Sequence, residues 1–277
     1  MNNQSRLMKV ISHVILLIVI IVFITPNIIL LARSLTLTTE NASRVFSIEN
    51  FTSVLSKPRT SQTFLNGFKI SFFQSILVIL LGFGSAYVLA RIKKKWFKSF
   101  QNFILIWIGI PLNFLVIPVY FILQRLKLLN SLYVISVFFA ASALPFTISI
   151  LARQFTSQNE DIEKSAALDG ANHLQVFMLI ILPNSLRSII TVGLNSFVIS
   201  WSTFIVPFVL LNSSDKQPVS TTFYEQFSAS YGTNFGELSA FAVLYALPVW
   251  LIYSVLYTVL NRKMFLKNIV YTEIQIR

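Results

Sequence analysis

At 277 residues, with 55% hydrophobic and only 12% charged side chains and a mean hydropathy of +0.71, the chain has more apolar surface than a soluble fold of this size can bury. This makes the bilayer its solvent. A formal net charge of +12 would suit nucleic acid if it lay on one soluble face, but here it falls in short clusters between apolar stretches. No cysteine is present, which excludes disulfides and thiolate chemistry, and His13 and His173 lie in different segments and suggest no metal site.

A spanning helix needs about 20 predominantly apolar residues to cross a hydrocarbon core about 30 Å thick. Six stretches qualify, at about 10–32, 68–90, 101–124, 132–152, 188–211 and 238–260. The first follows Arg6 and Lys9, as a secretory leader would. It exceeds the usual apolar region of about 7–15 residues, however, and no small-x-small cleavage site follows Pro26, so it reads as a retained span.

With the amino terminus in the cytoplasm, fourteen Lys and Arg residues fall on the inner side against eight on the outer side. That is the sign of the positive-inside rule, sharpest at Arg91-Ile92-Lys93-Lys94-Lys95. Both termini are then cytoplasmic, in a multi-pass membrane protein. The basic clusters act as topology and lipid-headgroup anchors rather than as a nucleic-acid patch. Arg125 and Lys127 are the main exceptions and snorkel to the outer headgroups.

Residues 34–66 form an outer loop, with a short ordered part expected at 46–51, too small for a receptor domain. Residues 125–131 permit only a tight outer turn between antiparallel helices. Pro111, Pro118, Pro145, Pro207 and Pro248 fall inside predicted spans, where a missing backbone donor usually kinks a helix. There is no low-complexity stretch or internal repeat. The organisation reads as an amino-terminal span and loop (1–64), a membrane domain (65–260) and a cytoplasmic tail (261–277).

Between the fourth and fifth spans lie about 35 residues, 153–187, whose first half is far more polar than its flanks. Ser157-Gln158-Asn159-Glu160 matches a capping box, with Ser157 as the cap. Glu160, Asp161 and Glu163 favour the positive end of the helix dipole that would follow. Ile162, Ala166 and Ala167 lie near one another on that helix, and the small alanines allow close approach of another surface. Asp169-Gly170 ends it, glycine being suited to the left-handed residue past a helix terminus. Asn172 and Gln175 repeat the capping pattern, and Pro183 marks the approach to the fifth span. The expected result is a helix-turn-helix elbow.

Ser165-Ala166-Ala167-Leu168-Asp169-Gly170-Ala171, then Phe177 and Ile181-Leu182-Pro183, resembles the EAA loop of binding-protein-dependent ABC importer permeases of the type I fold. The resemblance implies an all-α membrane protein of six transmembrane helices. Its loop, with Glu163, Lys164, Ser165, Ala166, Asp169, Gly170, Ala171, Phe177 and Pro183, would form coupling helices that dock on a cytoplasmic ATPase subunit. Lys164 stands where the family has the glutamate and Ser165 where it has the next alanine, while Glu163 comes one position early. One residue rotates a helical side chain by about 100°, so Glu163 does not replace that glutamate in place.

Asn50-Phe51, Leu128-Leu129-Asn130-Ser131, Pro145-Phe146, Trp201, Tyr231-Gly232-Thr233-Asn234 and Pro248 are similar to the carbohydrate branch, specifically the second permease of maltose and multiple-sugar systems. The tail Lys263-Met264-Phe265-Leu266-Lys267-Asn268 is a divergent version of that branch's carboxyl end. Membership would imply a second homologous permease, two ABC ATPase subunits and an extracytoplasmic solute-binding protein. This chain lacks a Gly-x4-Gly-Lys-Ser/Thr loop, so it is expected to bind no cofactor of its own and not to be an enzyme, and ATP would be used by the partner.

In the fifth span Ser196, Ser200 and Trp201 are candidates for the substrate path. The two serines share a face and equally suit helix packing. Where the branch often has Trp-Asn and an acidic residue, this chain has Trp201-Ser202-Thr203. Amino-acid, polyamine and peptide solutes stay open. So does an ion-coupled secondary transporter, although the predicted spans carry no interior acidic residue to couple an ion.

Overall fold

The computed structural model describes residues 2–38, 44–92, 95–229 and 235–275. Lys93-Lys94 and the Tyr231-Gly232-Thr233-Asn234 motif lie outside the described residues. In chain order the elements are α1 (Asn2–Ser34), β1 (Thr36–Thr38), β2 (Arg44–Phe46), α2 (Glu49–Ser56), α3 (Pro58–Arg91), α4 (Lys95–Ile108), α5 (Leu112–Arg125) and α6 (Leu132–Thr156). They continue as α7 (Glu160–Leu168), α8 (His173–Gln175), a π-helical turn (Val176–Ile181), α9 (Leu182–Ser202), α10 (Ile205–Leu210), α11 (Val219–Ala229) and α12 (Phe235–Gln275).

Among the described residues five single helices are long and apolar enough to cross a membrane, and a bent pair makes six when taken as one span. The chain divides into two units, residues 1–61 with 223–248 and residues 62–222 with 249–277.

In the first unit, every residue of α1 from Met8 to Arg33 is exposed, as expected of a helix whose apolar side chains face lipid. The described residues of the loop expected at 34–66 are more ordered than its composition suggests. β1 and β2 pair antiparallel, Thr36 opposite Phe46, and Asn50 is buried, donating to the carbonyls of Ser34 and Thr36 at 3.1 and 3.0 Å. Glu237 accepts from Ser53 and pairs with Lys57 at 2.7 Å. A Cβ on Gly236 would stand 2.7 Å from the Asn50 amide nitrogen, so glycine is what allows this close approach. The loop also ends earlier than predicted, because Pro58 suits the first helical position, where no N–H is needed.

In the second unit the predicted third span is two helices meeting at 91°. Pro111 sits at the break, extended at φ −63° and ψ 131°; it cannot donate, and it disfavours helical backbone at the residue before it. Pro118, Pro145 and Pro248 lie within helices that continue through them.

The predicted fifth span, 188–211, is corrected at both ends: the continuous helix runs His173–Ser202 and α10 is separate. Pro207 lacks the N–H that would bond the Thr203 carbonyl, and that carbonyl instead accepts from the Ser220 hydroxyl at 3.1 Å. The chain is extended at Thr203, with ψ 123°.

The turn between α5 and α6 is as tight as expected and holds two left-handed residues, Lys127 at φ 55° and Asn130 at φ 64°. The Asn130 side chain accepts from the amides of Asn212 and Ser213 at 2.8 and 3.0 Å and donates to the Ser213 hydroxyl at 2.7 Å. Asn130→Ala removes these bonds and strains the backbone. At about 1 kcal/mol net for each of the three bonds and about 1–2 for the left-handed residue, it is expected to destabilise the fold by about 4–5 kcal/mol. A lowered thermal midpoint in detergent, with only partial recovery in Asn130→Gly, is the check.

Two buried clusters form the core of this unit. One joins Ile70, Val116, Ile135, Phe139 and Val206; the other joins Phe83, Leu151, Phe155, Val176, Ile181 and Ile189. The second cluster positions the elbow.

Candidate functional site

The elbow begins two residues later than its capping pattern predicts. α6 runs to Thr156, and the Ser157 hydroxyl turns back to the Gln154 carbonyl at 2.7 Å, so it is not available as a cap. Asn159 takes that role, its side-chain oxygen accepting from the Asp161 amide at 3.0 Å.

At the other end Gly170 adopts φ +89°. Its amide bonds the Ala167 carbonyl at 3.1 Å, and the Ala171 amide bonds that of Ala166 at 3.0 Å. This pair of bonds is a Schellman closure. Asn172 and Gln175 form the expected reciprocal capping box, both bonds 2.8 Å.

From there the backbone continues without a break into the fifth span. Pro183 does not end a helix as an α-helical reading would have it, because the π turn precedes it. The Leu182 amide reaches back to the Phe177 carbonyl, and this widened turn accommodates a ring that would crowd a regular α-helix.

The inner face of the elbow is tied down. Arg91, the last residue of α3, pairs with Glu163 through Nη2 and donates from Nε at 3.0 Å; its Nη1 donates to the Phe155 carbonyl at 3.0 Å. The Tyr87 hydroxyl donates to the other Glu163 oxygen at 2.9 Å. Arg91 and Glu163 are only 14% and 16% exposed, which reduces the solvent screening that makes surface pairs weak.

Beside this network the Phe177 ring lies 4.9 Å from Phe83 and 5.4 Å from Tyr87, contacts worth about 0.5–1.5 kcal/mol each beyond burial. Ala166 and Ala171 also pack inward on the second core cluster. Ala166 therefore serves this chain's own packing, whereas the expectation had it facing another surface.

The outer face is free of such ties. Ser165, Ala167, Asp169 and Gly170 are exposed, and Leu168 is 89% and Leu174 65% exposed. Lys164 points outward and holds Asp161 at 3.0 Å, both more than half exposed. The Asp161 hydrogen bond, then its charge, pushes the Lys164 ammonium above its usual pKa. The two adjacent positions thus divide their roles by helical rotation, Glu163 inward and Lys164 outward.

The predicted path residues do not line one surface. Ser196, Ser200 and Trp201 are all buried. Gln74 of α3 donates to Ser196 and accepts from Ser200 at 2.7 Å, which ties α3 to α9. Trp201 stacks on Phe197 at 5.8 Å and covers Gly67, where a Cβ would come within 3.2 Å of its ring; its surroundings are those of a packing residue.

Gln74 was missed at the sequence level. Its signal was the run Ser71, Gln74, Ser75, a polar interruption on one side of an otherwise apolar helix. Ser196, Gln74 and the neighbouring Asn195 line a cavity of about 430 Å³ that also contacts Trp107 and Phe146.

Residues 78–266 match the family described as binding-protein-dependent transport system inner membrane component. The chain is 30% identical over 261 residues to the diacetylchitobiose uptake system permease protein NgcG of Streptomyces coelicolor, covering 91% of this chain and 86% of that protein. It is 25% identical over 224 residues to the probable ABC transporter permease protein YurM of Bacillus subtilis, covering 80% and 71%. Among solved structures, a bacterial ABC transporter chain involved in import of the acidic polysaccharide alginate superposes with a TM-score of 0.78 at 20% identity, covering 93% of this chain and 98% of that one. That likeness is one of fold.

Proposed function

This chain belongs to the family of binding-protein-dependent transport system inner membrane components, and from that membership we propose that it is one of two permease subunits of an ATP-driven saccharide importer. The second permease is a homologous chain, two ABC ATPase subunits use the ATP, and an extracytoplasmic solute-binding protein delivers the sugar. The diacetylchitobiose permease relative supports the saccharide class. Charge distribution supports the orientation, with both termini and the elbow in the cytoplasm.

The observation that carries this reading is the two-faced elbow. Glu163, Phe177 and Ala171 hold it to the membrane helices, while Lys164, Ser165, Leu168, Asp169 and Gly170 remain open to a partner. Force from ATP-driven closure enters at the outer face and reaches α3 through Glu163 and Arg91, and α9 through the unbroken helix past Pro183. Ser196 belongs to the solute path; Ser200 and Trp201 support it from behind.

Leu168→Glu tests the docking face. Losing burial of one leucine costs about 2 kcal/mol, or roughly 30-fold in affinity, so co-purification of the ATPase subunits is expected to fail while the chain stays folded. Wild-type stoichiometry in this variant would show that the elbow is not the docking face. The importer reading itself fails if the wild-type complex takes up no saccharide in an ATP-dependent manner.

A further inference from the structure

The cavity beneath the α4–α5 bend is built from α3, α6 and α9 as well, and its polar groups are of one kind. Gln74, Ser142, Thr147, Asn195 and Ser196 contribute amides and hydroxyls, and no ionisable side chain occurs among the described lining residues. The rest of the wall is apolar, with the partly exposed rings of Trp107 and Phe146.

Several polar atoms there have bonding capacity left. Asn195 makes no side-chain hydrogen bond among the described residues, although an amide in an apolar span ordinarily finds a partner. Ser196 accepts from Gln74, so its own proton is free, and Gln74 retains its second N–H.

We infer that this cavity is a binding subsite for an uncharged saccharide, with Asn195 as its specificity-determining residue. The Asn195 amide donates to one sugar hydroxyl and accepts from another, Ser196 and Gln74 add donors, and the apolar face of the ring packs on Trp107 or Phe146. About 430 Å³ falls within the usual range of small-molecule sites, roughly 300–1,000 Å³.

The absence of a countercharge sets the class, because an ion moved out of water without a partner is strongly disfavoured. Uronates, amino acids and polyamines are therefore poor occupants. The inference rests on the permease reading above and sharpens it from saccharide to neutral saccharide.

The chain contains no cysteine, so Ala143→Cys on the cavity wall introduces its single thiol, and modification can be read on this chain's band alone. The whole importer, reconstituted in liposomes with its own partner subunits, is labelled with a small polar methanethiosulfonate. Labelling is done alone, with neutral disaccharides (N,N′-diacetylchitobiose, maltose, cellobiose, xylobiose) or with digalacturonate.

At least one neutral disaccharide is expected to slow labelling fivefold or more. Digalacturonate is expected to leave the rate unchanged, and adding Asn195→Leu should abolish the protection, while Asn195→Ser should keep part of it. Both Asn195 variants must still co-purify with the partner subunits.

Three results would overturn the subsite: no protection by any neutral disaccharide, equal protection by the acidic one, or full protection persisting in Asn195→Leu. If the same liposomes accumulate a disaccharide with ATP yet show no protection, the subsite falls and the importer reading stands. If they accumulate none, the importer reading falls with it.

Discussion

Glu163→Ala is expected to lower ATP-driven uptake at least tenfold while the ATPase subunits remain bound. The carboxylate accepts from Arg91 and from Tyr87, so its loss takes the hydrogen-bonded countercharge from a guanidinium only 14% exposed. What remains is the bond to the Phe155 carbonyl and the more distant, more exposed Glu160 carboxylate at 3.9 Å. Breaking a fully buried pair costs about 3–5 kcal/mol. With both groups partly exposed, about 1–3 is the appropriate scale after allowing for solvent screening.

The outer face does not use Glu163, so docking survives while its mechanical link to α3 weakens. Glu163→Gln should be intermediate, since an amide still accepts one of the bonds, and Arg91→Lys should resemble it by giving up the forked geometry. Partial recovery in the Glu163→Arg, Arg91→Glu double variant would identify the pair itself as the link. Uptake and stimulated ATPase activity, measured together, separate loss of transmission from loss of assembly. Wild-type uptake by Glu163→Ala would refute the link.

Substitution at Gly170 should be graded by backbone and not by size. Nothing lies within 4 Å of the place where its Cβ would stand, so the whole penalty comes from φ +89°. Gly170→Asn should be nearly neutral, because asparagine visits the left-handed region, and Gly170→Ala should cost about 1–2 kcal/mol. Gly170→Val, β-branched, should cost more. Gly170→Pro forces φ to about −65° and removes the N–H that bonds the Ala167 carbonyl, so both uptake and ATPase co-purification should be lost. Equal tolerance of asparagine and proline would contradict this account.

Much of the elbow was legible because it is local chemistry. A capping box closes over three residues and a left-handed glycine over one, so Asn172, Gln175 and Gly170 could be placed without knowing what surrounds them. The misreading at Ser157 has the same origin: Ser157 and Asn159 are both competent caps, and the choice depended on how far α6 extends. Pro111, Pro118, Pro145, Pro207 and Pro248 carry the same local signal inside the predicted spans, yet the chain breaks at Pro111 and ahead of Pro207 while the helices continue through the other three. Whether the freed carbonyl finds another donor is a question about neighbours, as the Ser220 bond to Thr203 shows.

Composition alone determined that the chain lives in a bilayer, because transfer of apolar surface is additive and needs no fold to evaluate. The apolar stretches, the polar interruption between the fourth and fifth, and its helix-turn-helix character follow from short-range preference in the same way. Folding in three dimensions was needed to turn Glu163 inward and Lys164 outward, to recruit Gln74 to Ser196 and Ser200, to make Trp201 a packing residue and to leave Asn195 facing a cavity. Each of these joins or separates side chains on different helices, 72 positions apart for Arg91 and Glu163 and 122 for Gln74 and Ser196. Pairing at that range is fixed by how whole helices pack, which no local window of the chain contains.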